Sequence, residues 1–375
     1  MNQNTFPIGC WTYFIGMDQR PSDMIRNWVD LGITTPLSPD FGVGCDKQTV
    51  LSFLDECLAN GIHPYLHDYR VSAEALLGQK QPDYDAYRQQ VQQAVNDFGA
   101  HPALSGFFIC DEPDREQLDV CLNAVRIHRE LAPHLHPFLN LLPLFEKDKG
   151  LGERIGLSAQ AMETASPLAG YLDNILEETG LEMIGYDCYT QQYRETRGWG
   201  SYFSNLRQYR ELVRRHPGVC FNTTLLCVSH FDYVVESEED FRWQINTAAA
   251  MGAKALWWFY PDMRMGDDFN YRDAPINPLA ERTPNFTRMS TEIRLFMQQF
   301  GRVMPTLSPE DVFMTEQSFG GIPLFTGEKA IRFADVLDKD RDAKDPLLLS
   351  FFRDAAGTRY LALVNCARRN SHMTV

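Results

Sequence analysis

The sequence predicts a (β/α)8 barrel over residues 1–305, followed by a β-rich region over residues 306–375. Three observations carry this reading. Short apolar runs alternate with stretches of helical periodicity, the pattern of a parallel sheet with helices outside it. Eight runs and eight helical stretches fall within about 300 residues, the count and length at which such a sheet closes into a barrel. The stretch after the first run, GMDQRPSD, lacks the glycine-rich phosphate turn that an open doubly wound sheet would want.

The first run is Pro7 to Ile15, and a helix follows from Ser22, with Met24, Ile25, Trp28, Val29 and Leu31 on its apolar face and Gly32 as its stop. The second run, Ile33 to Leu37, ends at Pro39; its helix carries Val50, Leu51, Phe53, Leu54 and Leu58 and closes at Asn60-Gly61. The third run is Ile62 to Leu66, with a helix from Tyr84 to Phe98. The fourth, Leu104 to Cys110, precedes a helix containing Leu118, Leu122 and Val125. The fifth run, Phe138 to Leu142, leads through a longer connection to a helix around Leu168 to Leu176. Met183 to Tyr186, Val219 to Val228 and Ala255 to Tyr260 complete the eight. Their helices lie near Phe203 to Val213, Phe241 to Met251 and Ile293 to Phe300. Beyond Thr306 the period changes. Ile331 to Val336, Leu347 to Phe352 and Tyr360 to Val364 read as strands, with a hairpin loop at residues 354–357. The chain stops in what reads as the start of another strand, so a longer natural chain is expected.

Charge and composition narrow the function. A formal charge of −15 opposes binding to nucleic acid phosphates. No apolar run approaches the ~20 residues that span a bilayer, so no membrane partner is expected. The opening residues show no basic start and no apolar stretch. The chain as given therefore reads as cytoplasmic, or as extracytoplasmic if its front has been trimmed. The nine cysteines show no CxxC spacing, so neither a disulfide framework nor a zinc site is expected. No cofactor is called for, and the oligomeric state is left open.

In a barrel of this kind chemistry gathers at the C-terminal ends of the strands. Those ends are rich in carboxylates, amides and aromatics. Asp40 follows the second run, and His67, Asp68 and Arg70 follow the third. Asp111 and Glu112 end the fourth, Asn140 lies in the fifth, and Tyr186, Asp187 and Tyr189 end the sixth. Asn222 and His230 belong to the seventh, and Trp257, Trp258 and Tyr260 to the eighth, with Asp262 and Arg264 after it. Trp11 and Tyr13 sit on the first. The opposite ends hold turn signals such as Leu31-Gly32 and Pro217-Gly218. Carboxylates among aromatics suit sugar chemistry, because glycoside hydrolysis needs a proton donor and a second carboxylate, and aromatic faces cover the apolar faces of sugar rings.

The stretch Gly106-Phe-Phe-Ile-Cys-Asp-Glu-Pro113 resembles the fourth-strand signature of the clan of barrel glycoside hydrolases that includes cellulases and β-galactosidases. There the strand typically ends in Asn-Glu-Pro. Ile184-Gly-Tyr-Asp-Cys-Tyr189 resembles the sixth-strand motif of related, uncharacterised bacterial barrel hydrolases. Asn140-Leu-Leu-Pro143 and the run Gly252 to Tyr260 look like that group's fifth and eighth strands. The resemblance spans about residues 7 to 300. It implies polysaccharide or oligosaccharide degradation, with Glu112 as general acid and Asp111 as a sugar-binding partner. Two departures stand out: Asp111 replaces the usual Asn, and the seventh run ends without the Glu that serves there as nucleophile.

The second carboxylate must then come from another strand, with Asp187 the first choice and Asp68 the second. Trp11, Tyr13, His67, Asn140, Tyr186, Tyr189, Asn222, His230, Trp257, Trp258 and Tyr260 are the expected substrate contacts, the tryptophan pair being split between two faces of one strand. Two strand steps put the backbones of Glu112 and Asp187 roughly 9–10 Å apart, which favours an inverting pair. Two alternatives stay open: a carbohydrate-binding barrel without catalysis, and a barrel lyase or metal-dependent hydrolase.

Overall fold

The structure is a computed structural model and describes residues 5–12, 20–42, 44–145, 148–193, 196–263, 269–327, 331, 335–337, 346–367 and 372–374. Seven parallel strands lie side by side in chain order: Leu37–Asp40, Tyr65–His67, Gly106–Asp111, His136–Leu141, Met183–Asp187, Cys220–Leu226 and Ala255–Phe259. The extended segment 6–12 closes the ring. On one side the amides of Gly9 and Trp11 donate to the carbonyls of Leu256 and Trp258 (2.7 and 3.0 Å), and the amides of Leu256 and Trp258 donate back to Pro7 and Gly9 (both 3.1 Å). On the other side the amides of Thr35 and Leu37 donate to Ile8 and Cys10 (2.9 and 2.8 Å). The segment thus occupies the first of eight barrel positions, and the seven strands take positions two to eight.

Long helices alternate with the strands: Pro21–Leu31, Lys47–Ala59, Tyr84–Phe98, Leu118–Leu131, Ala169–Thr179, Trp199–Arg215, Glu238–Ala250 and Pro284–Gln299. Their ends follow local chemistry. Gly32 ends the first at φ 84°, a left-handed turn that lets its amide reach the carbonyls of Trp28 and Val29. Ser22 does not cap that helix. Pro21 already occupies its first position, which suits a residue with no amide hydrogen to satisfy. The Ser237–Asp240 capping box starts the seventh helix, and Glu238 and Glu239 complement its dipole there. The second strand runs through Pro39, where the sequence suggested a stop. Its neighbour is held by a side chain instead, the His67 amide donating to Ser38 Oγ at 2.9 Å.

A three-stranded antiparallel sheet of Ser308–Met314, Leu347–Arg353 and Arg359–Asn365 follows, and Asp335–Leu337 pairs with His372–Thr374. Residues 332–334 of the expected strand Ile331 to Val336 lie outside the described residues. Ser308–Met314 was not anticipated, since Ser-Pro-Glu-Asp opens it with no apolar alternation. The three-stranded sheet rests on the sixth and seventh helices. The key contact is Arg210, buried and donating to the carbonyls of Ala250, Glu310, Asp311 and Phe351 at 3.0–3.2 Å. Carbonyl dipoles converging on a buried guanidinium repay part of its desolvation. Trp243 Nε1 adds a bond to the Cys366 carbonyl at 3.0 Å. Among the described residues no helix is long and apolar enough to cross a membrane.

Candidate active site

Strand alternation decides which side chains enter the barrel, and one irregularity decides the site. Along the fourth strand Phe107 faces the helix Leu118–Leu131, where it meets His128, while Phe108 faces inward against Trp11 and Phe138. Simple alternation would turn Cys110 inward as well. Instead Phe108 pairs with Phe138 and Cys110 with the very next residue, Leu139, so one residue bulges out. The Ala73 amide takes up the carbonyl of the bulged Ile109 at 2.7 Å. Cys110 then faces the helix, and Asp111 turns into the mouth beside Asn140, its register partner. Bulges re-aim side chains in this way beside functional sites.

Glu112 follows with φ 44°, a left-handed conformation that is costly for a residue with a side chain. The turn is fixed by its amide, which donates to the Asn140 carbonyl at 2.9 Å. Asn140 is the hub: its Nδ2 donates to Asp111 Oδ1 at 2.9 Å and to Asp187 Oδ1 at 3.1 Å. Glu112 and Asp187 share a side-chain hydrogen bond, in which a protonated Glu112 donates and Asp187 accepts. Burial, then the charges of Asp187 and Asp111, pushes the Glu112 carboxyl up to about 9. Crowding by protein atoms and the Asp187 charge push the Asp111 carboxyl up, although part of the residue stays open to solvent. Burial also raises Asp187, opposed by its bonds from Glu112, Asn140 and Tyr189. These effects together favour the protonated form of Glu112 beside Asp187.

These residues form the floor of a cleft of about 360 Å³. One wall is aromatic: Tyr189, His230, Phe231, Tyr233, Phe259 and Phe269. Phe231, itself at φ 47°, is 55 % exposed and packs on Phe269, which is 44 % exposed, at 5.1 Å. Phe145, Leu151 and Arg154, from the connection after the fifth strand, also line the cleft. Among the described residues that line the cleft, Arg154 is the one Arg or Lys, and its charge works against the upward shift of Glu112. His230 stands where the seventh strand gives way to its loop. Its Nδ1 donates to the Val228 carbonyl at 3.0 Å, which leaves Nε2 as an acceptor, and burial lowers its tendency to protonate.

Of the expected site residues, the cleft collects Trp11, Asp111, Glu112, Asn140, Asp187, Tyr189 and His230. The others lie elsewhere. Asp68 is clamped by Arg70 through two bonds of 3.0 and 2.7 Å, and with His67 it lines a separate cleft against Phe41 and Asp97. Tyr186 faces outward and stacks on Tyr209 at 4.2 Å. Asn222 lies two residues below Thr224, the partner of Asp187, and its amide fills the space over Gly185 deep in the barrel. Trp257 is interior core, 4.5 Å from Phe138, and Trp258 packs outward on Phe241. Tyr260 is buried, edge-on to Tyr271. Tyr13 and Arg264 lie outside the described residues. The residue of the eighth strand that reaches the cleft is Phe259, two places beyond inward-facing Trp257, so alternation pointed to it. The loop residues Phe145, Phe231 and Phe269, and Leu151 and Arg154 of the short helix Lys149–Arg154, carried no sequence signal. The Glu112 and Asp187 side chains meet across the fifth strand, within hydrogen-bond reach of each other. Among the described residues no group of three or more His, Cys, Asp or Glu side chains is arranged to hold a metal ion.

No protein-family model matches the chain, and no curated protein matches it in sequence. Solved structures do match in fold. A β-galactosidase from Rahnella sp. R3 superposes with a TM-score of 0.60 at 11 % identity, over 83 % of this chain and 58 % of that one. An endo-β-1,4-mannanase from Thermotoga petrophila superposes with a TM-score of 0.54 at 10 % identity, over 97 % of this chain and 98 % of that one. A family 1 β-glucosidase from Thermotoga maritima gives 0.52 at 11 % identity, over 77 % and 98 %. The chain spans 58 % of the Rahnella enzyme and 59 % of a β-galactosidase from Marinomonas ef1. The chain is thus a (β/α)8 barrel that resembles glycoside hydrolases in fold.

Proposed function

We propose that this barrel hydrolyses the glycosidic bonds of an oligo- or polysaccharide, with Glu112 as general acid and Asp187 as the second carboxylate. The observation that carries the reading is the cluster of Asp111, Glu112 and Asp187, the two aspartates bridged by Asn140, on the floor of an aromatic-walled cleft, with the half-buried Glu112 carboxyl pushed up beside Asp187. Glycoside hydrolysis requires such a pair, one carboxyl protonated and one ionised.

In the reaction the glycosidic oxygen takes the place of Asp187 as acceptor of the Glu112 proton. Asp187, released from that bond, faces the anomeric carbon. The two carboxyls touch, which leaves no gap for the water that inversion interposes at ~6.5–9.5 Å. The closer ~5–5.5 Å arrangement of retention is the nearer fit, with Asp187 as nucleophile. Asn140 and Tyr189 hold Asp187 in place, and the exposed faces of Phe231 and Phe269 receive sugar rings.

The test is a screen of chromogenic glycosides and polysaccharides with wild type, Glu112→Gln and Asp187→Asn. Hydrolysis by wild type alone, with the product's first-formed anomer retained by proton NMR, is expected. Glycan binding without turnover in any of the three would replace the reading with that of a binding protein. Equal turnover by wild type and Glu112→Gln would remove Glu112 from the mechanism.

A further inference from the structure

The bulge that aims Asp111 into the cleft has a second effect behind the strand. It turns Cys110 onto the helix Leu118–Leu131, where Cys121 meets it with the two Sγ atoms 2.6 Å apart. Unbonded carbon atoms rest ~3.5–4.0 Å apart, and sulfur is larger. A disulfide is ~2.05 Å long. The two sulfurs therefore lie closer to bonding distance than to contact distance. Both residues are buried, at 3 % and 0 % exposure, in a shell that includes Tyr87 and Tyr171. Among the described residues, the polar approach recorded for the pair besides their own contact is a long one, of Cys110 Sγ to the Asp111 carbonyl at 3.9 Å. The spacing of eleven residues matches no redox motif, which is why the sequence alone suggested no disulfide. The strand–turn–helix path brings the two thiols together.

We infer that Cys110 and Cys121 are a covalent modification site, closing to an intrachain disulfide that staples the turn carrying Asp111 and Glu112. The oxidant is a peroxide, small enough to reach thiols packed this closely. One thiolate attacks a peroxide oxygen, the O–O bond breaks, and hydroxide leaves to become water, giving a sulfenic acid. The second thiol attacks that sulfur and loses its proton, and the sulfenic hydroxyl leaves as a second water. In sum, two thiols and one hydrogen peroxide give one disulfide and two waters. The sulfurs together lose two electrons and the peroxide gains them. The contact with Cys121, and then burial, raise the Cys110 thiol, so oxidation of the folded protein is slow. The loop that closes, residues 110–121, contains the acid and its neighbour and shares its back wall with the helix. The bond restricts the turn whichever reaction the cleft performs.

The digest of the full chain reads this directly. Arg115 separates the two cysteines, so trypsin places Cys110 in fragment 89–115 and Cys121 in fragment 116–126. Protein treated with hydrogen peroxide, then denatured and alkylated without reductant, is expected to yield these two fragments linked, with neither cysteine alkylated. Thermal unfolding should shift upward by several degrees, return on adding dithiothreitol, and show no such shift in Cys121→Ser. Full alkylation of both cysteines after prolonged peroxide, or Cys110 linked to another cysteine, would overturn the assignment. So would an equal peroxide-induced thermal shift in Cys121→Ser. The linkage is read from mass alone, so it stands or falls separately from the proposed hydrolysis.

Discussion

Asp187 and Asp68 end strands of the same rim, and their surroundings give them opposite characters. Asp68 meets a guanidinium: Arg70 bonds both its oxygens and also reaches Asp97 at 2.7 Å, while Lys47 bonds Asp97 at 2.8 Å. That cleft carries a matched set of charges. Asp187 meets two other carboxyls and an amide, and no cation bonds it among the contacts described. The mismatch is relieved by a proton rather than by an arginine. Residue type alone therefore does not mark a working carboxylate. What marks it is whether the neighbours neutralise it with a fixed cation or with a proton that can be given away.

The comparison breaks most visibly in activity. If the proposed hydrolysis holds, Glu112→Gln and Asp187→Asn are each expected to lower kcat/KM by about a thousandfold or more, because each removes a group assigned to the reaction. Asp68→Asn should stay within about threefold. A large loss from Asp68→Asn, with the fold intact by circular dichroism, would reverse the assignment of the two clefts.

Stability should separate the clefts in the opposite sense. Arg70→Met strands Asp68 beside Asp97 and is expected to cost ~1–3 kcal/mol in denaturant unfolding. Glu112→Gln should stabilise the protein at alkaline pH. The folded pKa of Glu112 lies near 9, above the ordinary 4.5, so the folded state binds a proton that the unfolded chain has lost. Stability from this group is complete below about pH 4.5 and drains away as the pH rises toward about 9. The glutamine never deprotonates, so its advantage should exceed ~1 kcal/mol at pH 8, the worth of about one pKa unit, and fade at pH 5. A variant equally stable at both pH values would contradict the shared proton. Activity, in turn, should need Glu112 protonated and Asp187 ionised, with the alkaline limb of its pH profile near 9 and the acid limb above the usual aspartate range.

The smallest effect concerns the rim. Phe231→Ala should raise KM or weaken glycan binding by about tenfold while moving the melting temperature little, since the ring is more than half exposed. Unchanged binding would mean that substrate does not lie on this aromatic face.

How much of this was legible in the chain depends on the range of the forces involved. The alternation of eight strands and helices is local, set by apolar periodicity and by stops such as Gly32 and Gly61, and it could be read directly. Asp111, Glu112, Asn140 and Asp187 were legible because a barrel gathers strand ends at one rim. Direction was harder. Asn222 and Tyr186 sit on the right strands at the wrong depth or face, and one residue of register makes that difference. The bulge at Ile109 has no signature in Phe-Phe-Ile-Cys-Asp, because it is imposed by pairing with the fifth strand and by Ala73. The contact between Glu112 and Asp187 depends on side chains leaning across Asn140, which strand spacing does not foretell. The walls come from loops, whose contacts join residues far apart in sequence.

The central claim is the proton on Glu112, and a carbon-13 NMR titration of glutamate side-chain carboxyls, wild type against Glu112→Gln, observes it. One wild-type glutamate signal should still be protonated at pH 7, titrate near 9 and be missing from the variant. If every glutamate carboxyl in the folded wild-type protein is ionised at pH 7, Glu112 holds no proton to donate and the account of the cleft fails.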